Sequence, residues 1–517
     1  MNDEEVSKRV LPNIFANAAF LIVNVVTGLL LVPFFIDELG IATYGIIPLA
    51  TSVTSYVIMI SGALNASVSR FMGVTFQNGD EKQTNRTYNT ALFGLGYVAV
   101  AMIPVAIVIA VLSPFLFDIG SVLSLDVQIL FACILTSMLI SAWGTNFQTV
   151  FFVSNRLDLQ NVIKITQLLL QTGFIVILFM AFGPSLPLVG AAYLIGAVVS
   201  TIVGYVLCRI FRPSLRIRRR SFDREHFKEI GGVSVWSLFS NIGNLLIIQM
   251  SMILSNILLG PAQSGMFNIV MMMILVLASF GVTISSVFTP LMYRSFSEGR
   301  RNDMVSVCRS AIKVVGILMA MPLAFLCVFS PEILTVWVGE DFIELSKIIW
   351  IAFPLFACIE AMEPLIPIGL VHLKVKIPGL MTFFFGIVNV ILILIFVEYL
   401  EWGLRGLALA WLLSMVGKNC VFFPLYYSKV EGVSPVTFLV PMGHCILCFI
   451  VGAAMCFIVS ELFTMPASLI ILAVTAVALY AVYLFIISLV LLNKNEKKLV
   501  RSCLPGFISS RLPKWLL

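Results

Sequence analysis

No charged residue interrupts the chain between residues 467 and 492, a run long enough to cross the roughly 30 Å hydrocarbon core of a bilayer, which takes about 20 residues of helix. Inside that core no water is at hand to satisfy the backbone, so such a run must close its own hydrogen bonds as a helix. The pattern recurs along the whole chain. We count fourteen spans: residues 11–36, 44–69, 89–114, 127–153, 162–183, 187–208, 231–258, 265–292, 311–335, 347–371, 378–399, 404–427, 436–460 and 467–492. The expected fold is an all-α polytopic membrane protein. Composition agrees, with 60% hydrophobic and 11% charged residues against roughly 25% charged in soluble domains.

Charge fixes the expected orientation. Of the 32 Lys and Arg residues, only Lys347 and Arg405 fall on the side away from the N-terminus, and Lys418 lies within a span. The positive-inside rule then places both termini in the cytoplasm. The opening "MNDEEVSKRV" leads into an apolar run too long for a signal peptide, so the first helix is expected to stay. The ten cysteines sit almost entirely in spans and read as small apolar residues rather than a disulfide framework. "HCILC" at 444–448 lacks a second ligand cluster nearby in sequence, and a metal site needs about four converging ligands. We expect no metal.

The connections on the outer side are short, the longest being "PFLFDIGSVLSLD". An integral-membrane glycosyltransferase or polymerase needs room for soluble groups and paired carboxylates, and these loops supply neither. No P-loop, HExxH pair or GxSxG elbow occurs. These absences point to a carrier or channel rather than an enzyme or ATP-driven pump. The longest internal segment, "RIFRPSLRIRRRSFDREHFKEI" at 209–230, is dense in arginine, and its simplest role is to lie on anionic headgroups.

Sliding the chain by 220 positions aligns "LGIATYG" (39–45) with "LGPAQSG" (259–265), Asn24 with Asn244, and Met72, Phe76 and Gly79 with Met292, Phe296 and Gly299. An even number of spans separates the copies, so they enter the membrane from the same side. Two parallel six-helix lobes of this kind are a transporter architecture, with substrate held between them. The expected organisation is an N-terminal lobe over 1–208, a basic linker over 209–230, a C-terminal lobe over 231–427, an extra helix pair over 436–492 and a tail over 493–517. In that tail, "LVRSCLPGFISSRLPKWLL" mixes apolar residues with Arg501, Arg511 and Lys514 in the manner of an interfacial helix.

The stretches "PFFIDELGIATYG", "ALNASVSRFMG" and "FVSNRLDLQNVIKI", with the repeat, resemble the Wzx-type oligosaccharide flippases of the multidrug/oligosaccharidyl-lipid/polysaccharide exporter superfamily. The resemblance covers nearly the whole chain. It implies flipping of a polyprenyl-diphosphate-linked oligosaccharide across the bacterial cytoplasmic (inner) membrane, for O-antigen, lipopolysaccharide or capsule assembly. It also implies an ion-coupled antiporter-like cycle without a cofactor beyond H⁺ or Na⁺. The expected partners are the lipid-linked substrate, membrane lipids and polysaccharide polymerase machinery, with no nucleic acid; the duplicated lobes suit a functional monomer. A cation-coupled multidrug exporter of the same superfamily is the alternative.

One departure stands out. The related peptidoglycan-precursor flippases carry arginines in their first spans, whereas spans 1 and 2 here offer Asn13, Asn17, Asn24 and Asn65 and no arginine before Arg70. A diphosphate leaving water needs positive partners. Arg70, Arg156, Lys164, Arg294 and Lys313 lie near cytoplasmic ends and are candidates for the headgroup, although each also suits an ordinary snorkelling anchor.

Three charges lie near the bilayer midplane: Glu360 and Glu363 in span 10 and Lys418 in span 12. Such residues cost several kcal/mol unless paired or wet, so function is their default reading. In "CIEAMEPLIPIG", Pro364 and Pro367 cannot donate to the carbonyls of Glu360 and Glu363, which creates an oxygen-rich setting for Na⁺ or a proton in a helix prone to bend. A structural salt bridge between spans 10 and 12 is the alternative. Asn24, Asn244, Asn146, Gln148 and Gln171 are candidates to line a sugar cavity, or else to bond helix to helix. Asn24 and Asn244 lead because the repeat matches them.

Overall fold

The computed structural model describes residues 3–77, 80–225, 227, 235–463, 468–493 and 496–497. Among these, thirteen helices are long and apolar enough to cross a membrane, and Ile41–Gln77 forms a further 37-residue helix. The spans are 1 (Asp3–Leu39), 2 (Ile41–Gln77), 3 (Glu81–Leu116), 4 (Ser124–Val153), 5 (Leu157–Phe182), 6 (Leu186–Phe211), 7 (Val235–Leu259) and 8 (Pro261–Ser286). Span 9 is Arg301–Val328, 13 is Val436–Leu462 and 14 is Leu469–Val490. Span 11 passes from Lys376–Ile393 into a π-helical turn, Leu394–Tyr399, and spans 10 and 12 are irregular too. The expected interfacial helix beyond residue 497 lies outside the described residues.

Local chemistry sets the ends. Asp80 caps span 3 by accepting from the Gln83 N–H at 2.9 Å, which satisfies one of the amides a helix start leaves orphaned. Gly40 and Gly260 end spans 1 and 7 with φ of 77° and 88°, a left-handed conformation that costs glycine little. Their N–H groups donate to Ile36 O and Asn256 O, each at 2.9 Å, and their carbonyls accept from Tyr44 at 2.9 Å and Ser264 at 3.1 Å. The two repeat turns therefore share one construction.

By internal packing the chain forms two compact units, Met1–Asn268 and Ile269–Leu517. Packing thus divides the chain within span 8, and the basic segment expected as a linker belongs to the first unit. The reason is local. Span 7 packs along span 2, and Gly45 and Gly265, the matched glycines of the two turns, face each other. A Cβ on Gly45 would lie 3.0 Å from Gly265 N, and one on Gly265 would lie 2.8 Å from Ile41 O. Asn268 Nδ2 donates to the Tyr44 hydroxyl at 2.5 Å. Asn256, fully buried, exchanges bonds with Asp118, accepting from its N–H at 3.0 Å and donating to its carbonyl at 2.9 Å.

The core of the first unit joins spans 2 to 6 through Met72, Leu92, Phe147, Phe151 and Ile163. In the second unit, span 14 is docked on span 9 by two phenols, Tyr483 donating to Ile317 O at 2.9 Å and Tyr480 to Leu318 O at 3.2 Å. A buried hydroxyl needs such a partner.

Candidate functional site

Span 10 does not run unbroken. Its helix Ser346–Ala361 stops before a single tight turn over Glu363–Leu365 and resumes as Ile366–Val371. Pro364 and Pro367 supply no N–H to continue the ladder, and the break is closed instead by bonds from Met362 N to Ile359 O at 3.2 Å and from Leu365 N to Met362 O at 3.0 Å. The bend expected at the two prolines is thus a break in the helix: Glu360 sits in the last helical turn and Glu363 within the break. Span 12 departs as well, passing from Gly403–Val416 into a wider π-helical turn, Gly417–Phe422, before Phe423–Glu431. Such turns are frequent at functional sites, and Lys418 lies in this one.

The three charges interact electrostatically across these irregular segments. Phe356 and Trp411 have ring centroids 5.8 Å apart, and Lys418 is within electrostatic reach of Glu363 and Glu360. Both pairs, Phe356 with Trp411 and Glu363 with Lys418, keep the same sequence offset, as side-by-side helices running in one direction should. Glu360 and Lys418 are buried, at 4% and 7% exposure. Among the described residues the Oε2 of Glu360 has no hydrogen-bond partner, and the same holds for Trp411 Nε1 and Ser414 Oγ on span 12. Buried polar atoms of this kind normally find partners.

Sequence reasoning missed one contributor. The space that a Cβ on Gly281 of span 8 would occupy is filled by the Glu360 carboxylate, so this glycine makes the room in which the acid sits. Nothing linear links two positions so far apart in the chain.

The candidate sugar-binding amides have separate fates. Asn24 is exposed on span 1, and Asn244 and Gln148 are half-buried. Asn146 donates to Trp143 O in its own helix at 2.7 Å, and its buried Oδ1 has no hydrogen-bond partner among the described residues. Gln171 bonds Tyr193 of span 6. Other amides also bond helix to helix, as in Asn65 to Thr145 at 2.5 Å and Asn161 to Asn17 at 2.6 Å.

The candidate cations differ sharply. The side chain of Arg70 lies outside the described residues. Arg156 grips Asp158, with its Nε and Nη2 each 2.9 Å from a carboxylate oxygen. Arg294 pairs with Glu298 at 2.8 Å; hydrogen bonds from Arg294 and Arg300 hold the Glu298 carboxyl below the usual range. Lys313 donates to Leu491 O at 2.7 Å and to Glu496 at 2.9 Å, tying the end of span 14 to span 9. Lys164 is different: half-buried on span 5, its Nζ stands 5.4 Å over the ring of Phe20 of span 1, and it meets no carboxylate among the described residues.

Comparison with known proteins gives the family and the fold. Residues 10–296 match the family described as polysaccharide biosynthesis protein. The chain belongs to this family. It is 28% identical over 499 residues to the "Uncharacterized membrane protein EpsK" of Bacillus subtilis (strain 168), covering 94% of this chain and 96% of that one. Its fold is that of transporters of the MOP superfamily. The lipid II flippase MurJ in an inward closed conformation aligns with a TM-score of 0.66 at 15% identity, over 92% of this chain and 98% of that one. An inward-facing multidrug resistance MATE family transporter aligns at 0.58 and 17% identity, over 80% and 94%.

Proposed function

We propose that this family member is a flippase that carries polyprenyl-diphosphate-linked oligosaccharide repeat units across the bacterial cytoplasmic membrane by ion-coupled alternating access, for O-antigen or capsule assembly. The observation that carries this reading is the match of residues 10–296 to the polysaccharide biosynthesis family. The likeness of the fold to a lipid II flippase over 92% of the chain supports it, since that protein by its name flips lipid II. The one-sided distribution of Lys and Arg supports cytoplasmic termini.

In this reading the chemistry divides between the two units. Lys164 receives the diphosphate, because a cation that stands over an aromatic ring and meets no carboxylate among the described residues keeps its donors for an anion. Asn24 and Asn244 bond sugar hydroxyls. Glu360, Glu363 and Lys418 form the coupling site, where H⁺ or Na⁺ takes the open Oε2 of Glu360 and weakens its attraction to Lys418. A buried charge whose balance changes in this way biases one helix arrangement over another, and the break at Glu363 is where span 10 can bend.

Deleting the gene and analysing surface polysaccharide and lipid-linked intermediates tests the reading. Loss of polymer with single repeat units retained on the inner leaflet supports it. Intact polymer with new drug sensitivity transfers the assignment to a multidrug exporter, a reading that the acidic pair Glu360/Glu363 would serve through attraction of cationic drugs.

A further inference from the structure

Spans 3 and 4 enclose a groove of about 390 Å³ whose walls are apolar and partly open. Gly96 and Ala99 on span 3, with Ala132 and Thr136 on span 4, are small enough to leave the space. Val100, Ile103 and Ile107 stay 64%, 46% and 57% exposed along its side. From Gly96 to Ile107 it follows the helix axis for about 16 Å at 1.5 Å per residue, a slot suited to one hydrocarbon chain lying parallel to its neighbours in the bilayer. Trp143 forms the foot. Its Nε1 donates to Leu92 O at 3.0 Å, so the indole's polar atom is satisfied and its apolar faces remain for contact.

The basic segment is fixed beside that foot. Asn89, fully buried, donates to Arg216 O at 2.9 Å and accepts from Arg218 N at 2.7 Å. Thr90 accepts from Asp223 N at 3.1 Å, and Asp223 pairs with Arg86. Phe222 packs edge-on against Tyr97, with ring centroids 5.5 Å apart, one residue along span 3 from Gly96. The backbone is thus held by span 3 while Arg216, Arg218 and Arg219 stay exposed. The acid closest to them in sequence, Asp223, is already paired with Arg86. This arrangement departs from a loose tether lying on headgroups: its arginines are presented at a set level next to an apolar slot.

We propose that groove and arginines together hold one anionic phospholipid, with an acyl chain between spans 3 and 4 and its phosphate on Arg216, Arg218 and Arg219. Guanidinium forks match phosphate oxygens, and basic residues near an anionic membrane surface attract it. The site does not depend on which substrate the protein carries. A zwitterionic lipid offers the same chain but no net charge to answer the arginines.

Native mass spectrometry of the full-length protein, titrated separately with phosphatidylglycerol and phosphatidylcholine, tests this. The wild type should retain one phosphatidylglycerol in preference to phosphatidylcholine. Replacing Arg216, Arg218 and Arg219 by Gln together should weaken it at least about tenfold, and the exposed linker positions leave folding intact. Ala132→Phe with Thr136→Phe, both at exposed positions of the groove wall, should weaken it comparably with every arginine present. Equal retention of the two lipids, or unchanged phosphatidylglycerol binding in either variant, overturns the proposal. Displacement of phosphatidylglycerol by an equal concentration of a polyprenyl phosphate also overturns it, by giving the groove to an isoprenoid carrier.

Discussion

The carboxylate of Glu360 fills the space in front of Gly281 that any side chain there would need. A buried acid with an open oxygen is held against bare backbone, and even one methyl group would push it away. Gly281→Val should therefore abolish gradient-dependent transport while the protein still inserts, with overpacking costing about 1–3 kcal/mol of stability. Transport assayed with and without an imposed ion gradient checks this; unchanged coupling in the variant removes Glu360 from the coupling site.

The three intramembrane charges should behave as a unit. Either Glu360→Gln or Glu363→Gln is expected to uncouple transport from the gradient. Lys418→Met should be the most damaging single change, about 3–5 kcal/mol, since it leaves buried carboxylates uncompensated. Combining it with Glu363→Gln should restore part of the loss, a non-additivity measurable in a double-mutant cycle on thermal stability. Full coupling in both glutamine variants would make the cluster a structural salt bridge.

Lys164 and Lys313 make opposite predictions although both were headgroup candidates. Lys164→Gln should reduce transport about tenfold, the value of one charge-assisted hydrogen bond, with little change in stability, and Lys164→Arg should retain most of it. Lys313→Gln should leave substrate handling intact and lower stability by about 2 kcal/mol, because its ammonium is committed to Glu496 and the end of span 14. Comparing substrate-dependent rates with melting curves for the three variants separates the roles.

At the two repeat turns, Gly45→Leu or Gly265→Leu should destabilise the protein by about 1–3 kcal/mol, since a Cβ at either glycine meets backbone atoms of the other turn at 3.0 Å or closer. Leucine at Gly73, where a Cβ meets nothing within 4 Å, serves as the control in the same thermal assay.

Much of this was legible in the chain because the bilayer enforces it. Apolar runs dictated helices, and the repeat of "LGIATYG" in "LGPAQSG" marked two turns that share backbone geometry, down to the positive φ of Gly40 and Gly260. Pro364 and Pro367 announced the break in span 10, and the cost of intramembrane charge singled out Glu360, Glu363 and Lys418. What stayed hidden depends on partners distant in sequence. That Lys313 is occupied by Glu496, that Gly281 shelters Glu360, and that Asn89 holds the basic segment against span 3 follow from packing, which has no linear code. The π-helical turn around Lys418 was also invisible, since "GKNCVF" carries no proline and its single glycine is tolerated within a helix.

The most direct test of the central claim is reconstitution. Purified protein in liposomes containing a polyprenyl-diphosphate-linked oligosaccharide, with a sugar-binding probe outside, reports movement of the headgroup between leaflets. The account predicts protein-dependent flipping that responds to an imposed H⁺ or Na⁺ gradient and falls sharply in Glu360→Gln with Glu363→Gln. No flipping above protein-free liposomes under either gradient, from protein shown to be folded, would contradict it.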